Sequence, residues 1–114
     1  MFSTERTVMQ PDPALLRTNA CAASQMLKAL SHPDRLMLLC QLADGKERSV
    51  SELETLTALY QPSLSQQLGV LRREGLIAPR REGKQMFYRV ADTRALAILH
   101  TLYQQFCAET ETTP

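Results

Sequence analysis

The hydrophobic repeat of this chain changes from helical to alternating at Gly75. Up to Leu71 the apolar residues recur every three to four positions, the spacing of helices with one buried side. Beyond Gly75 the repeat drops to two. In the run Gln85-Met86-Phe87-Tyr88-Arg89-Val90, Met86, Tyr88 and Val90 alternate with Gln85, Phe87 and Arg89. A second run, Ile77-Ala78-Pro79-Arg80-Arg81, precedes it, with Glu82-Gly83-Lys84 between the two. This pattern predicts a β-hairpin on a glycine-containing loop. Pro79 has no N–H to give to a ladder, which puts the first strand at an exposed edge. The expected class is a mainly α fold with one small hairpin. At 114 residues the chain is long enough for one domain, taken as 1–114, and short for two.

The helices read from their punctuation. Asp12 and Pro13 suit the start of a first helix, with Leu15, Leu16, Ala20, Ala23, Met26, Leu27 and Leu30 as its apolar stripe. Ser31-His32-Pro33-Asp34 restarts the chain, with Ser31 or His32 as the cap. The next helix, DRLMLLCQLA, is apolar nearly all round, which predicts the central buried helix, ended by Gly45. Ser49 and Glu52 fit a capping box, so a short helix follows with Val50, Leu53 and Leu56 inward. After a turn at Ala58-Leu59-Tyr60 another helix begins near Pro62, or at Ser63 if Ser63 and Gln66 form a box of their own. Gly75 suits a left-handed residue just past its end, with Leu76 beyond. Asp92 caps a last helix carrying Ala95, Leu96, Ile98, Leu99, Leu102, Tyr103 and Phe106. The tail AETETTP is polar.

The helix before Gly75 is unusual in its surface. Leu64, Leu68 and Leu71 give it a buried side, yet no Lys, Arg, Asp or Glu occurs from Thr55 to Leu71. Its first turns are hydroxyls and amides: Gln61, Ser63, Ser65, Gln66 and Gln67. A helix that meets only water usually carries charge. A helix that reads base edges needs short hydroxyls and amides that can hydrogen-bond to them. On a helical wheel Ser63, Gln66, Gln67 and Val70 lie opposite the leucines, with Gln61 and Ser65 near phosphate reach. Gly69 inside this helix costs roughly 1 kcal/mol relative to alanine, and close packing on another helix would account for it. Two short helices over residues 49–75, followed by a basic hairpin over 77–90, make a winged helix-turn-helix.

Charge is distributed to match. The net charge is only +1, but residues 61–90 hold six basic residues against two acidic, a local +4 that leaves −3 for the remainder. Arg80, Arg81, Lys84 and Arg89 of the hairpin would supply salt-dependent attraction to the phosphates of double-stranded DNA. The apolar stripes of the first helix (10–30) and the last (92–107) are wider than a small core needs. They predict a homodimer that presents two reading helices to a pseudo-palindromic operator, with half-sites about 34 Å apart. No apolar run reaches the roughly 18–20 residues of a membrane span, and the N-terminus lacks an apolar signal core, so the expected location is cytoplasmic without membrane contact.

At this point the segments LKALSHPDRLMLLCQL, SVSELE, QPSLSQQLGVLRREGLI and RREGKQMFYRV together resemble the ArsR/SmtB-type winged-helix repressors, over about residues 20–107. The resemblance implies dimeric repressors that leave DNA when an inducer is sensed. It is closest to the BigR/SqrR persulfide-responsive branch. Cys40 in RLMLLCQL and Cys107 in YQQFCAE match that branch's two sensing cysteines, which implies reactive sulfur species as inducer and a Cys40–Cys107 disulfide or polysulfide as the response. Cys107, near a chain end, is the expected first nucleophile. Cys21 has no matching role and reads as a small buried residue.

Other readings have less behind them. Metal-sensing members carry a Cys-x-Cys pair in the first helix of the reading unit, or Asp and His along the last helix. Here SVSELETL has no cysteine, Asp92 is followed by Arg94, and His100 has no acid or histidine a turn away. No metal or cofactor is therefore expected. Cys107 and His100 share a helix face but stand two turns, about 10 Å, apart, and no nucleophile–base pair or phosphate loop occurs, so no enzyme is expected either. The alternatives kept open are a metal- or ligand-sensing repressor of the same fold and a winged-helix protein-interaction module without DNA binding. Salt dependence separates the latter.

Overall fold

A computed structural model describes residues 12–107. The chain runs α1 (Pro13–Leu30), α2 (Pro33–Gln41), β1 (Arg48–Ser49), α3 (Val50–Thr57), α4 (Ser63–Arg73), β2 (Ile77–Glu82), β3 (Gln85–Val90) and α5 (Thr93–Phe106). Residues 10 and 11 of the predicted first helix and the polar tail lie outside the described residues.

The local signals act as their chemistry dictates. Pro33 opens α2, and His32 rather than Ser31 caps it, its Nδ1 accepting from the Asp34 N–H at 3.2 Å. Ser31 serves the preceding helix, donating to the Lys28 carbonyl. In α3 both halves of the capping box form: Glu52 N–H to Ser49 Oγ at 3.1 Å and Ser49 N–H to Glu52 Oε1 at 2.7 Å. The Asp92 carboxylate accepts from the Arg94 and Ala95 N–H groups at the head of α5. Partial desolvation of that carboxyl is outweighed by these two N–H groups and by the Arg94 charge, so its pKa is lowered. Helix α2 ends at Gln41, four residues before Gly45. Gly45 closes the following turn at φ +82°, where it donates to the Leu42 carbonyl.

The hairpin has a two-residue loop. Glu82 stands opposite Gln85, with Gly83 at φ +62°, a conformation favoured by glycine. A third strand was not expected from the pattern: β1 pairs antiparallel to β3 through Arg48↔Tyr88 and Ser49↔Phe87, giving the order β1-β3-β2. Strand β2, with Pro79, is an edge, as anticipated.

The core is mostly leucine. Leu30, Leu38, Leu39, Leu42, Leu53, Leu64, Leu68, Leu71, Leu76 and Leu99 are buried together with Ala29, Ile77 and Ala95. Helix α2 is its hub, packing against α1, α3, α4 and α5. Three expected placements differ. Leu56 is 46% exposed, and Thr57 turns inward instead, its hydroxyl bonded to the Leu53 carbonyl at 2.7 Å. Only Ala29 and Leu30 of α1 are buried, while Leu15, Leu16 and Leu27 stay more than half exposed. Cys40 lies on the outer side of α2, not in the core, and Cys21 is exposed as well. An apolar surface all round a helix does not say which side the core takes, and α2 gives it Leu38, Leu39 and the following Leu42.

Candidate nucleic-acid interface and thiol pair

Helix α4 is fixed at both ends. Its start is not a Ser63–Gln66 box. Pro62 occupies the cap position without a side-chain bond, and the Gln61 Oε1 does the capping, accepting from Ser65 N–H at 3.2 Å and Ser65 Oγ–H at 2.6 Å. At the other end Gly75 (φ +75°) donates to the Arg72 carbonyl and Leu76 to the Leu71 carbonyl, the paired bonds of a Schellman turn. Leu64, Leu68 and Leu71 face the core. Ser63, Ser65 and Gln66 are exposed on the far side. Gln67 is half-buried, because its Oε1 accepts from Arg35 Nη1 at 3.1 Å. Val70 is also half-buried; Ser63, Gln66 and Arg73 are exposed and form the outward row, with the half-buried Gly69 between Gln66 and Arg73.

Gly69 does not mediate the helix packing that its presence suggested. A Cβ built there meets only the end of the Arg73 side chain, at 3.4 Å from Nη1. The outward row is where a duplex would approach, and a methyl there would keep it away. Gly69→Ala is expected to raise Tm by roughly 4–6 °C, from about 1 kcal/mol of helix propensity, and to weaken duplex binding. Thermal melts and anisotropy titrations on one protein preparation check both halves.

On the wing, Arg81, Lys84 and Arg89 are exposed. Arg80 differs. Its guanidinium forms a fork on Glu47, with Nε 3.0 and 2.8 Å from the two carboxylate oxygens and Nη2 2.8 Å from Oε1. Nη1 donates to Glu82 at 3.0 Å, and the group lies 5.0 Å from the Phe87 ring centroid. The bonds to Glu47, then to Glu82, raise the Arg80 pKa; Glu47 is lowered by the Arg80 bond first, with Arg89 contributing at longer range. Arg80 therefore ties the hairpin to the loop before β1, and its charge is already answered by two carboxylates. Glu47→Gln should free it for phosphate, tightening duplex binding by about two- to fivefold and steepening the salt slope by about 0.9. Affinities measured across a salt series test this.

Cys40 and Cys107 are 67 positions apart in sequence, on α2 and at the end of α5, two helices that pack together. His100, on α5, places Nε2 2.9 Å from the Ala43 carbonyl just beyond α2, which pins the two helices at this point. The Cys40 thiol has its pKa raised, first by desolvation and then by the Cys107 charge. Both residues are exposed at the surface of the chain. Among the described residues no group of three or more His, Cys, Asp or Glu is arranged to hold a metal ion.

Two residues that matter here were not singled out from sequence. Glu47 precedes β1 in an ordinary charged turn. Arg35 sits in the PDRLM segment and also donates to the Ala29 carbonyl at 2.6 Å and the Lys28 carbonyl at 3.3 Å. Their partners are 33 and 32 residues away, beyond any local pattern.

The fold and this outward helix face define a winged helix-turn-helix regulator. Residues 32–78 match the bacterial regulatory proteins of the arsR family. The chain is 50% identical to the biofilm growth-associated repressor of Agrobacterium fabrum over 101 residues, 89% of this chain and 85% of that one. The crystal structure of the transcriptional repressor BigR from Xylella fastidiosa superposes with a TM-score of 0.77 at 46% identity, covering 86% of this chain and 99% of that one. Reduced HlyU from Vibrio cholerae gives a TM-score of 0.77 at 38% identity, over 81% and 96% of the two chains. The chain belongs to the ArsR family. No described helix is long and apolar enough to cross a membrane.

Proposed function

We propose that this protein is a cytoplasmic homodimeric repressor that binds a pseudo-palindromic operator in double-stranded DNA and is released when reactive sulfur species link Cys40 to Cys107. The observation that carries this reading is the packing of α2 on α5, held by His100 on the Ala43 carbonyl, with Cys40 on α2 and Cys107 at the end of α5. Repression is named for the Agrobacterium and Xylella relatives, which supports it here. The dimer reading rests on the apolar residues left exposed on the terminal helices, Leu15, Leu16 and Leu27 of α1 and Phe106 of α5. Ser63, Ser65 and Gln66 read bases, Gln61 and Gln67 assist, and Arg81, Lys84 and Arg89 bind phosphate, with Arg80 held as a brace.

The sulfur chemistry balances without any other oxidant. The Cys107 thiolate attacks a sulfane sulfur of an inorganic polysulfide, breaking an S–S bond, keeping one sulfur as a persulfide and releasing a shorter polysulfide. The Cys40 thiolate then attacks the Cys107 sulfur and expels hydrosulfide. Two thiols lose two electrons and one sulfane sulfur gains them. Retention of a further sulfane sulfur gives a polysulfide bridge instead. The raised Cys40 pKa keeps this thiol protonated at neutral pH and suits it to the second step. Because α2 touches α1, α3, α4 and α5, a link between α2 and α5 changes how the reading unit is held on the dimer helices. A gel-shift on the upstream region of the protein's own gene tests the reading, with reduced and polysulfide-treated protein. Binding by the reduced form and release by the treated form is expected. Equal binding by both would refute the sensor, and no binding by either would refute the repressor.

A further inference from the structure

Helix α1 is held to the rest of its chain at one end. Of its 18 residues only Ala29 and Leu30 are buried, and the element it packs against is α2. It does not close on the reading helix. A cleft of about 220 Å³ lies between them, lined by Gln25, Lys28 and Ala29 of α1, Val70 and Glu74 of α4, and Arg35. Among the described residues no hydrogen bond or ion pair joins α1 directly to α4. Arg35, near the start of α2, spans the gap. Its Nε donates to the Ala29 carbonyl at 2.6 Å and its Nη2 to the Lys28 carbonyl at 3.3 Å, both acceptors at the C-terminal end of α1. Its Nη1 donates to Gln67 Oε1 on α4 at 3.1 Å. A guanidinium is a rigid plane with its donors in fixed directions, so the three bonds together set both the separation and the tilt of the two helices.

We infer that Arg35 is a positioning residue for the paired DNA contact: by bracing α4 against α1 it fixes the one half-site separation that the dimer accepts. The inference rests on the dimeric DNA-reading function proposed above. In that dimer α1 belongs to the subunit contact and α4 to the duplex, so the angle between them is carried into the distance between the two reading helices. An 18-residue helix is about 27 Å long, so a swing of about 10° at its held end displaces the other end by roughly 5 Å. One base pair along the duplex is only about 3.4 Å. The apolar contact of Ala29 and Leu30 has no direction of its own and leaves such a swing open; the bonds of Arg35 close it.

The test varies the separation of the half-sites. The duplex that wild-type protein enriches from a randomised pool supplies the half-site, and its spacer is then lengthened or shortened by one and two base pairs. Wild type should bind one separation best and lose at least about tenfold for a change of one base pair, which also turns one half-site by about 35° against the other. Arg35→Met removes the whole brace, and Gln67→Met removes only its α4 end. Both, once shown by thermal melt and sedimentation to be folded and dimeric, should lose only about threefold or less for the same change. Each penalty is a ratio of two affinities of one protein, so a general weakening through Gln67 does not enter it. A general loss of stability would lower binding at every separation alike and leave the wild-type penalty in place. Either folded, dimeric variant keeping that penalty would overturn the inference, as would a wild type indifferent to separation. If Arg35→Met does not fold or dimerise, Gln67→Met decides it alone. Wild-type protein that enriches no duplex, or only single half-sites, would instead show that the dimeric DNA-reading function itself is wrong.

Discussion

Wild-type protein treated with polysulfide will lose at least about tenfold in operator affinity, whereas Cys40→Ser and Cys107→Ser proteins will keep theirs. A tenfold change needs only about 1.4 kcal/mol of difference between the linked and unlinked forms, small beside the energy that seats α5 on α2. Cys40→Ser stops at the persulfide, so its intact mass should rise by one sulfur. Wild-type protein should instead lose two hydrogens, or two hydrogens less any retained sulfur. Cys21→Ser should respond like wild type, since Cys21 is on α1 and not on the two helices that carry the pair. The closing step should also quicken as pH rises above neutrality, because partial desolvation raises the Cys40 pKa above its ordinary value. Stopped-flow release at several pH values reads this directly. Release by both serine variants, at the wild-type rate, would remove the pair from the mechanism.

The second large effect is expected from Leu16→Glu. Leu16 is 55% exposed on α1 and contributes nothing to the core of its own chain, so the variant should fold. Placed in a subunit interface, a carboxylate would lie unpaired in an apolar contact, where its desolvation costs several kcal/mol. Sedimentation should then report a monomer at concentrations where wild type is a dimer. Operator affinity should fall by about 10²–10⁴, the factor that coupling two reading heads contributes. A variant that stays dimeric with full affinity would move the interface elsewhere.

What could be read in advance follows from the range of each interaction. The Ser49–Glu52 box, the Gly75 turn and the Gly83 loop are written within a few residues, and each forms where its residues predict. Strand β1 was not legible. Arg48 and Ser49 are too few to show a period, and they become a strand only because β3 offers a free edge. The reading helix was legible from its missing charges, but not the roles of its members. Gln61 caps the helix and Gln67 answers Arg35, and both facts depend on three-dimensional neighbours. Arg80 read as a phosphate ligand because its carboxylate partner Glu47 lies far back in the chain. The outer placement of Cys40 was not legible, because a helix apolar on every side conceals which side another element, or another copy, will cover.

The turn at Gly75 also bears on how such a protein can be altered. Only Glu74 and the left-handed Gly75 separate α4 from the buried Leu76 and Ile77 that begin the wing, and Leu76 is bonded back to Leu71. Helix and hairpin are thus welded, with no slack to let one shift along a duplex without the other. Anyone transplanting base preference between related scaffolds should move residues 63–90 as a single cassette, since a lone helix would arrive with its groove position set by a foreign hairpin.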